Sequence, residues 1–318
     1  MTEAMRPSDQ EALVSLDKKL HLVRDHVTAV ARGYKTGYFL YGTGGVGKSH
    51  TVLRHLETSD VAYQLYNSRM TAKGLFQTLH HAPDAIHVLE DMERLTKDPD
   101  AQGVLRSALW AQPGHERTVT WTTATGGPQR FIFRGGLILI SNRPLADLPE
   151  LRALATRIEV HRLEVTDAEL TALMRDLAGK GYRMQDKLVI TPEECLKVTD
   201  YLLKECRAAG CPLDLRLQQK SFQSYLQFAA DCSVSHWEDL IAASVREATC
   251  HFRNEVNTNS QEAKKTKRRN VVREILGTVA GVKEQEQAYM EKTGASRADF
   301  YRRKREVESG EFNEADAA

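Results

Sequence analysis

The sequence predicts an α/β fold: a largely parallel sheet covered on both faces, followed by two all-helical segments. Three observations carry this expectation. Apolar runs suited to buried strands recur at residues 38–41, 61–66, 85–89 and 136–142, with helix-spaced stretches between them. A glycine-rich turn, Gly42-Thr43-Gly44-Gly45-Val46-Gly47-Lys48-Ser49, joins the first run to a helical one. Beyond Asp167 the apolar spacing is helical throughout, with breaks near residues 179–181 and 210–212.

In chain order, Leu13, Leu16, Leu20, Leu22, Val23, Val27 and Val30 place one or two helices between about 11 and 33. Tyr38-Phe39-Leu40-Tyr41 is the first strand, and the turn after it fits G-x-x-x-x-G-K-[ST], the phosphate-binding P-loop. Its glycines let successive backbone N–H groups turn inward around a phosphate. Lys48 reaches the β- and γ-phosphates, Ser49 supplies a hydroxyl for Mg²⁺, and the helix over 51–56 points its positive end at the anion. The second strand spans 61–66 and ends at Asn67 and Ser68; Thr71 caps a helix running through Leu79. The third strand, 85–89, runs into Glu90-Asp91 about 40 residues after the P-loop. An apolar strand closing in two acids suits one carboxylate on Mg²⁺ and another orienting or deprotonating water. A helix follows over 101–111. Residues 118–123 and 129–133 flank a Gly-Gly-Pro turn and form a hairpin, and the fourth long strand spans 136–142.

At 318 residues and 41% hydrophobic, the chain is long enough for two or three domains with real cores. Its net charge is only +1, but the C-terminal part is strongly basic: residues 264–305 hold 13 basic and 5 acidic side chains, net +8. No stretch approaches a membrane span and the N-terminus has no apolar signal core, so a cytoplasmic, membrane-free location is expected. Cys195, Cys206, Cys211, Cys232 and Cys250 form no C-x-x-C pair and are expected as reduced, packed thiols. The expected domains are 1–165, an α/β nucleotide-binding domain; 166–255, a helical domain; and 256–318, a basic linker around the polar residues 257–260 followed by a helix-turn-helix.

The assembled parts resemble the AAA+ ATPases of the P-loop superfamily over about residues 33–230. The resemblance implies ATP and Mg²⁺ as ligands, with residues 42–49 and His50 around the phosphates and the helical domain as a lid. Asn142 matches the polar sensor 1 residue that positions the attacking water. The segment 151–158 resembles the helix end that carries an arginine toward the neighbouring subunit's nucleotide; Arg157 is the first candidate and Arg152 the second. Residues 213–217 resemble the sensor 2 helix, with Arg216 reaching the γ-phosphate from the same subunit. Asn67 matches a polar position that restrains the catalytic carboxylate. The family usually ends the third strand in Asp-Glu, whereas this chain has Glu90-Asp91. By position Glu90 serves Mg²⁺ and Asp91 activates water, with Glu93 as a substitute base; the shorter Asp91 would suit slow hydrolysis. A trans-acting arginine implies a homo-oligomer, and a hexamer is the family expectation.

The hairpin resembles the channel-lining hairpin of superfamily III ring helicases, where Trp121, Arg117 and Arg130 would meet single-stranded or forked DNA; Arg134 is ambiguous. The segment 286–304 resembles a helix-turn-helix. Gly294 makes the turn, Ser296 caps the second helix, and Phe300 packs on Met290 or Tyr289. Arg297, Tyr301 and Arg302 would contact duplex DNA, aided by Lys267 and Arg268. The expected function is a DNA-dependent ring ATPase, a helicase or translocase for replication of a mobile element or phage. The alternative is a replication initiator, helicase loader or transposition regulator that switches on ATP without unwinding; Gly47-Lys48-Ser49-His50 is close to the Gly-Lys-Thr-His of bacterial initiators. The Gly-Ala-Phe-Thr-Gly-Ala loop of enhancer-binding activators is absent from the sequence, and no clear protein-threading loop surrounds Phe76.

Overall fold

The computed structural model describes residues 6–67, 70–91, 95, 98–123, 127–145, 152–184 and 187–308, with backbone alone at 123, 127–128, 152–153, 188 and 255–263. The chain divides into two compact units, Met1–Arg246 and Glu247–Ala318.

In the first unit, a single helix α1 (Pro7–Ala31) precedes strand β1 (Gly37–Tyr41). The P-loop then feeds α2 (Lys48–Thr58), and β2 (Tyr63–Tyr66), α3 (Ala72–His81) and β3 (Ile86–Glu90) follow. The Thr71 Oγ1 accepts from the Gly74 N–H at 3.0 Å, the expected cap of α3. Helix α4 (Pro99–Leu109) starts at Asp98, whose Oδ1 accepts from the Asp100 N–H at 2.9 Å. Next come β4 (Thr118–Thr123), β5 (Gly127–Ile132), β6 (Gly136–Ser141), the short α5 (Arg152–Ala155) and β7 (Glu159–Arg162).

Five of these strands form one parallel sheet in the order β2-β3-β6-β1-β7. Tyr38, Phe39 and Leu40 of β1 are buried on both faces, as a central parallel strand requires. Alternation then sorts the layers. Phe39, Leu89, Leu137 and Leu139 pack with Leu75, Phe76 and Leu79 of α3 and Leu105 and Leu109 of α4. Helix α1 packs over β1, β6 and α2 on the other side. Phe76 lies in this core, so it is not part of a threading loop; a fully buried Phe contributes about 2 kcal/mol. β4 and β5 form a separate antiparallel hairpin over α3 and α4.

The fold class is the expected one, a parallel α/β sheet followed by a mostly helical region. The helical region has one correction. Between α6 (Asp167–Ala178) and α7 (Pro192–Ala209) stands a small antiparallel pair, β8 (Tyr182–Met184) and β9 (Lys187–Ile190). Arms of three and four residues are too short to leave a period-two signature against helical neighbours. Both α6 and α7 open with capping boxes, Thr166 with Glu169 and Thr191 with Glu194. After Gly210 (φ +65°) ends α7, Asp214 caps α8 (Leu215–Ala229). Trp237 closes this layer, its ring 5.2 Å from Tyr201 and 5.6 Å from Tyr225.

A second correction concerns the linker expected at 257–260. The backbone there is helical, within α9 (Trp237–Thr278), and the division between units falls at 246/247 rather than 255/256. In the second unit, α10 (Val282–Thr293) ends at Gly294 (φ +63°) and α11 (Arg297–Glu308) begins after a three-residue turn. The Ser296 Oγ accepts from the Asp299 N–H at 3.3 Å. Val272, Ile275, Tyr289 and Phe300 form the core of this unit. Phe300 packs against Tyr289, with ring centroids 5.4 Å apart, while Met290 is exposed. The three inner cysteines, Cys195, Cys206 and Cys211, are buried thiols, and Cys232 and Cys250 are exposed ones.

Candidate active site

Parallel neighbours end on the same side of a sheet, and β1, β6 and β3 are neighbours in that order. The register pairs Tyr41 with Ser141 and Glu90 with Ile140. The P-loop, Asn142 and the Glu90-Asp91 pair are therefore brought to one edge by topology alone. A cavity of about 910 Å³ lies there, closed from the far side by α6, β8 and α8.

The loop enters α2 through Gly47, left-handed at φ +88°. Gly45 (φ +72°) has a second reason to be glycine: a Cβ there would lie 2.1 Å from Oδ1 of Asp214. The Leu215 N–H donates to the Gly45 carbonyl at 3.0 Å, so the start of α8 rests directly on the phosphate-binding loop. Lys48 is only 6% exposed. Its Nζ donates to the carbonyls of Gly42 (2.8 Å) and Thr43 (2.7 Å) and to Oδ1 of Asn142 (3.0 Å). Burial pulls its pKa down to about 8; Asp91 pulls it up, Arg216 down and Glu90 up. That set of neighbours places both acids and Arg216 within electrostatic reach of the ammonium.

Glu90 and Ser49 both line the cavity, and among the described residues the buried Oε1 of Glu90 has no hydrogen-bond partner. An orphaned carboxylate oxygen beside a half-buried hydroxyl is a donor set suited to a hard divalent cation such as Mg²⁺. Asp91 is left-handed (φ +51°), a conformation Asp tolerates better than most residues, and its N–H bonds to the Ile140 carbonyl at 3.2 Å. Arg216 stands exposed in the first turn of α8 and lines the same cavity, as does His50. Asn67 lies exposed one residue beyond the Tyr66–Leu89 pair, level with Glu90 on the adjoining strand. Glu93 lies outside the described residues.

Several lining residues escaped the sequence reading. Leu20, Leu173, Leu177, Tyr182 and Phe222 give the cavity an apolar half, with the Tyr182 and Phe222 rings 5.4 Å apart. No motif marks them, because they come from separate elements. Asp214 entered the sequence reading only as part of the 213–217 segment, with no role of its own.

Arg157 lies away from this cavity, at the opposite edge of the sheet, where β1 and β7 begin. A second cavity of about 650 Å³ is lined there by Trp110, Lys35, Glu159 and Arg157 among others. The Arg157 guanidinium carbon sits 5.5 Å from the centre of the Trp110 ring. The Arg152 side chain lies outside the described ones.

The hairpin corrects two expectations. Trp121 turns inward with Val119 and packs on Phe76, and its indole N–H is buried, so the ring serves first as partly buried packing rather than as a free stacking platform. Arg117 is structural: it donates to the Ala108 and Gly135 carbonyls at 2.8 Å each and covers Phe133. Arg130, paired with Thr120, remains exposed on the outer face, while Arg134 reaches Asp84 and Glu116. In the second unit, Lys267 is exposed. Arg268, Arg302 and the buried Arg303 converge on Asp299, which also accepts from the Tyr289 hydroxyl at 2.7 Å. Arg297 and the Tyr301 hydroxyl both engage Glu286.

No protein-family model matches the chain, and no curated protein matches it. Among the solved structures similar to it are the following two. A point mutant of RuvB from Thermotoga maritima has a TM-score of 0.42 at 12% identity, over 90% of this chain and 83% of that one. The Orc1 protein of Aeropyrum pernix in complex with DNA has a TM-score of 0.43 at 14% identity, over 92% and 82%. Among the described residues, no helix is long and apolar enough to cross a membrane.

Proposed function

We propose that this chain is a DNA-binding AAA+ ATPase that hydrolyses ATP in a homo-oligomeric ring, a hexamer in the simplest case, to translocate on or unwind DNA during replication of a mobile element or phage. The observation that carries the reading is the convergence of Lys48, Asn142, Glu90 and Arg216 on one cavity at the N-terminus of α2. The triphosphate lies along the loop amides, and Lys48 exchanges its carbonyl partners for phosphate oxygens. Ser49 and Glu90 would hold Mg²⁺, which would neutralise charge on the phosphates. Asp91 and Asn142 orient the attacking water. Arg216 meets the γ-phosphate from the same subunit, and Arg157 meets the neighbour's, an arrangement that closes head to tail. The apolar half of the cavity takes the base. Exposed Arg130 contacts single-stranded or forked DNA in the ring, and Lys267, Arg268, Arg297, Tyr301 and Arg302 serve duplex DNA through a helix-turn-helix. The cell compartment in this reading is the cytoplasm.

Lys48→Ala tests the centre of the proposal. ATP affinity measured by calorimetry is expected to fall about 100-fold, roughly 3 kcal/mol; unchanged affinity would contradict it.

One observation favours a second reading. The water-activating position holds Asp91, a methylene shorter than Glu and set in a left-handed turn. Slow turnover would suit an initiator, helicase loader or transposition regulator that uses ATP as a switch and separates no strands.

A further inference from the structure

Trp110 is the residue that leaves α4, extended at φ −147°, with its N–H bonded to the Arg106 carbonyl at 3.1 Å. The last turn of α4 is fixed by Leu105, Ala108 and Leu109, all fully buried. Trp110 is 41% exposed, and the Arg157 guanidinium lies over its ring at 5.5 Å. Among the described residues, the buried Arg157 Nη1 has no hydrogen-bond partner and no carboxylate pairs with this guanidinium. The acid that lines the same cavity, Glu159, is already held by Lys35 at 2.6 Å.

We propose that Trp110 is a positioning residue for Arg157: its ring aims the guanidinium toward the neighbouring subunit's nucleotide without neutralising it. This rests on the reading of Arg157 as the residue that acts in trans. An arginine with no partner would spread over many rotamers and lose most of its effect on a transition state. A carboxylate partner would order it but cancel the charge the phosphoryl group needs. A neutral indole face orders the group through a cation–π contact, and the charge stays available to an incoming anion. Lys35 completes the arrangement by occupying Glu159.

The test compares steady-state ATP hydrolysis by the full-length assembled protein carrying Arg157→Ala, Trp110→Ala, Trp110→Leu, Trp110→Phe or both alanine changes, with ATP binding followed separately. Arg157→Ala is expected to lower kcat about 1,000-fold. Trp110→Ala and Trp110→Leu are each expected to lower kcat about tenfold with KM and ATP affinity within twofold, and Trp110→Phe to stay within about threefold of the unaltered protein. The double variant should be no slower than Arg157→Ala alone. Undiminished kcat in Trp110→Ala beside an inactive Arg157→Ala overturns the positioning role and leaves the trans-acting arginine standing. So does full activity in Trp110→Leu, which keeps apolar bulk without the indole. Full activity in Arg157→Ala overturns the trans reading, and the role of Trp110 with it.

Discussion

The ammonium of Lys48 donates a 3.0 Å hydrogen bond to Oδ1 of Asn142 across 94 residues of sequence. The contact ties the phosphate-binding loop after β1 to the tip of the neighbouring strand β6. Lys48 also keeps the Gly42 and Thr43 carbonyls, so losing the amide leaves it partnered. Asn142→Ala should therefore leave ATP affinity within about threefold and lower kcat about 100-fold, the cost of removing one oriented polar group from a transition state. Equal losses in affinity and kcat would mean that Asn142 only supports Lys48.

Asp214 brings its carboxylate against Gly45 of the phosphate-binding loop. Its Oδ1 also accepts from the Arg216 N–H at 2.6 Å and caps α8. Asp214→Asn keeps a good cap and removes the charge. ATP binding is expected to tighten several-fold, most at low ionic strength where repulsion is least screened. Calorimetric titration at two salt concentrations checks this; weaker binding would show that the carboxylate helps hold the ligand.

The fold was legible where sequence periods were long. Helix α1 keeps its apolar spacing for about five turns, and β1 and β6 are continuous apolar runs, so their order and the loop between β1 and α2 follow from pattern. The β8–β9 pair was not legible because its arms are too short. Trp121 could have been placed from alternation: Thr118, Thr120 and Thr122 face out, which puts Val119 and Trp121 in. The gathering of Asp214 against Gly45, and of Trp110 against Arg157, is set by tertiary packing between distant segments and has no local signature.

Glu169 of the α6 capping box is 3% exposed and tied to α1. It accepts from the Ser15 hydroxyl (2.7 Å), Lys19 Nζ (2.8 Å) and the Thr166 N–H (2.8 Å). Burial pushes its pKa up, but the bonds from Lys19, Thr166 and Ser15 outweigh it and bring the group from an ordinary 4.5 down to about 2. A depressed carboxylate stabilises the fold fully above its unfolded pKa and loses that contribution as pH falls. Urea unfolding between about pH 7 and pH 3 should show up to about 2 kcal/mol draining away below about pH 4.5, with the rest lost only as pH falls through the folded value, and Glu169→Gln should flatten that slope. An unchanged slope in the variant would assign the acid sensitivity elsewhere.

Glu286 engages both Arg297 (3.1 Å) and the Tyr301 hydroxyl, two of the side chains proposed to meet duplex DNA. Glu286→Gln frees the guanidinium without enlarging or shrinking the side chain. DNA affinity is expected to rise, with the dependence on salt steeper by about one unit in log K against log salt. Fluorescence anisotropy with a labelled duplex measures both. An unaltered slope would place Arg297 outside the DNA contact.

The most direct measurement is ATP hydrolysis with and without single-stranded and forked DNA, with strand separation followed in the same tube. A ring motor is expected to turn over faster on DNA and to part the strands. Turnover that ignores DNA, with both strands still paired, would contradict it.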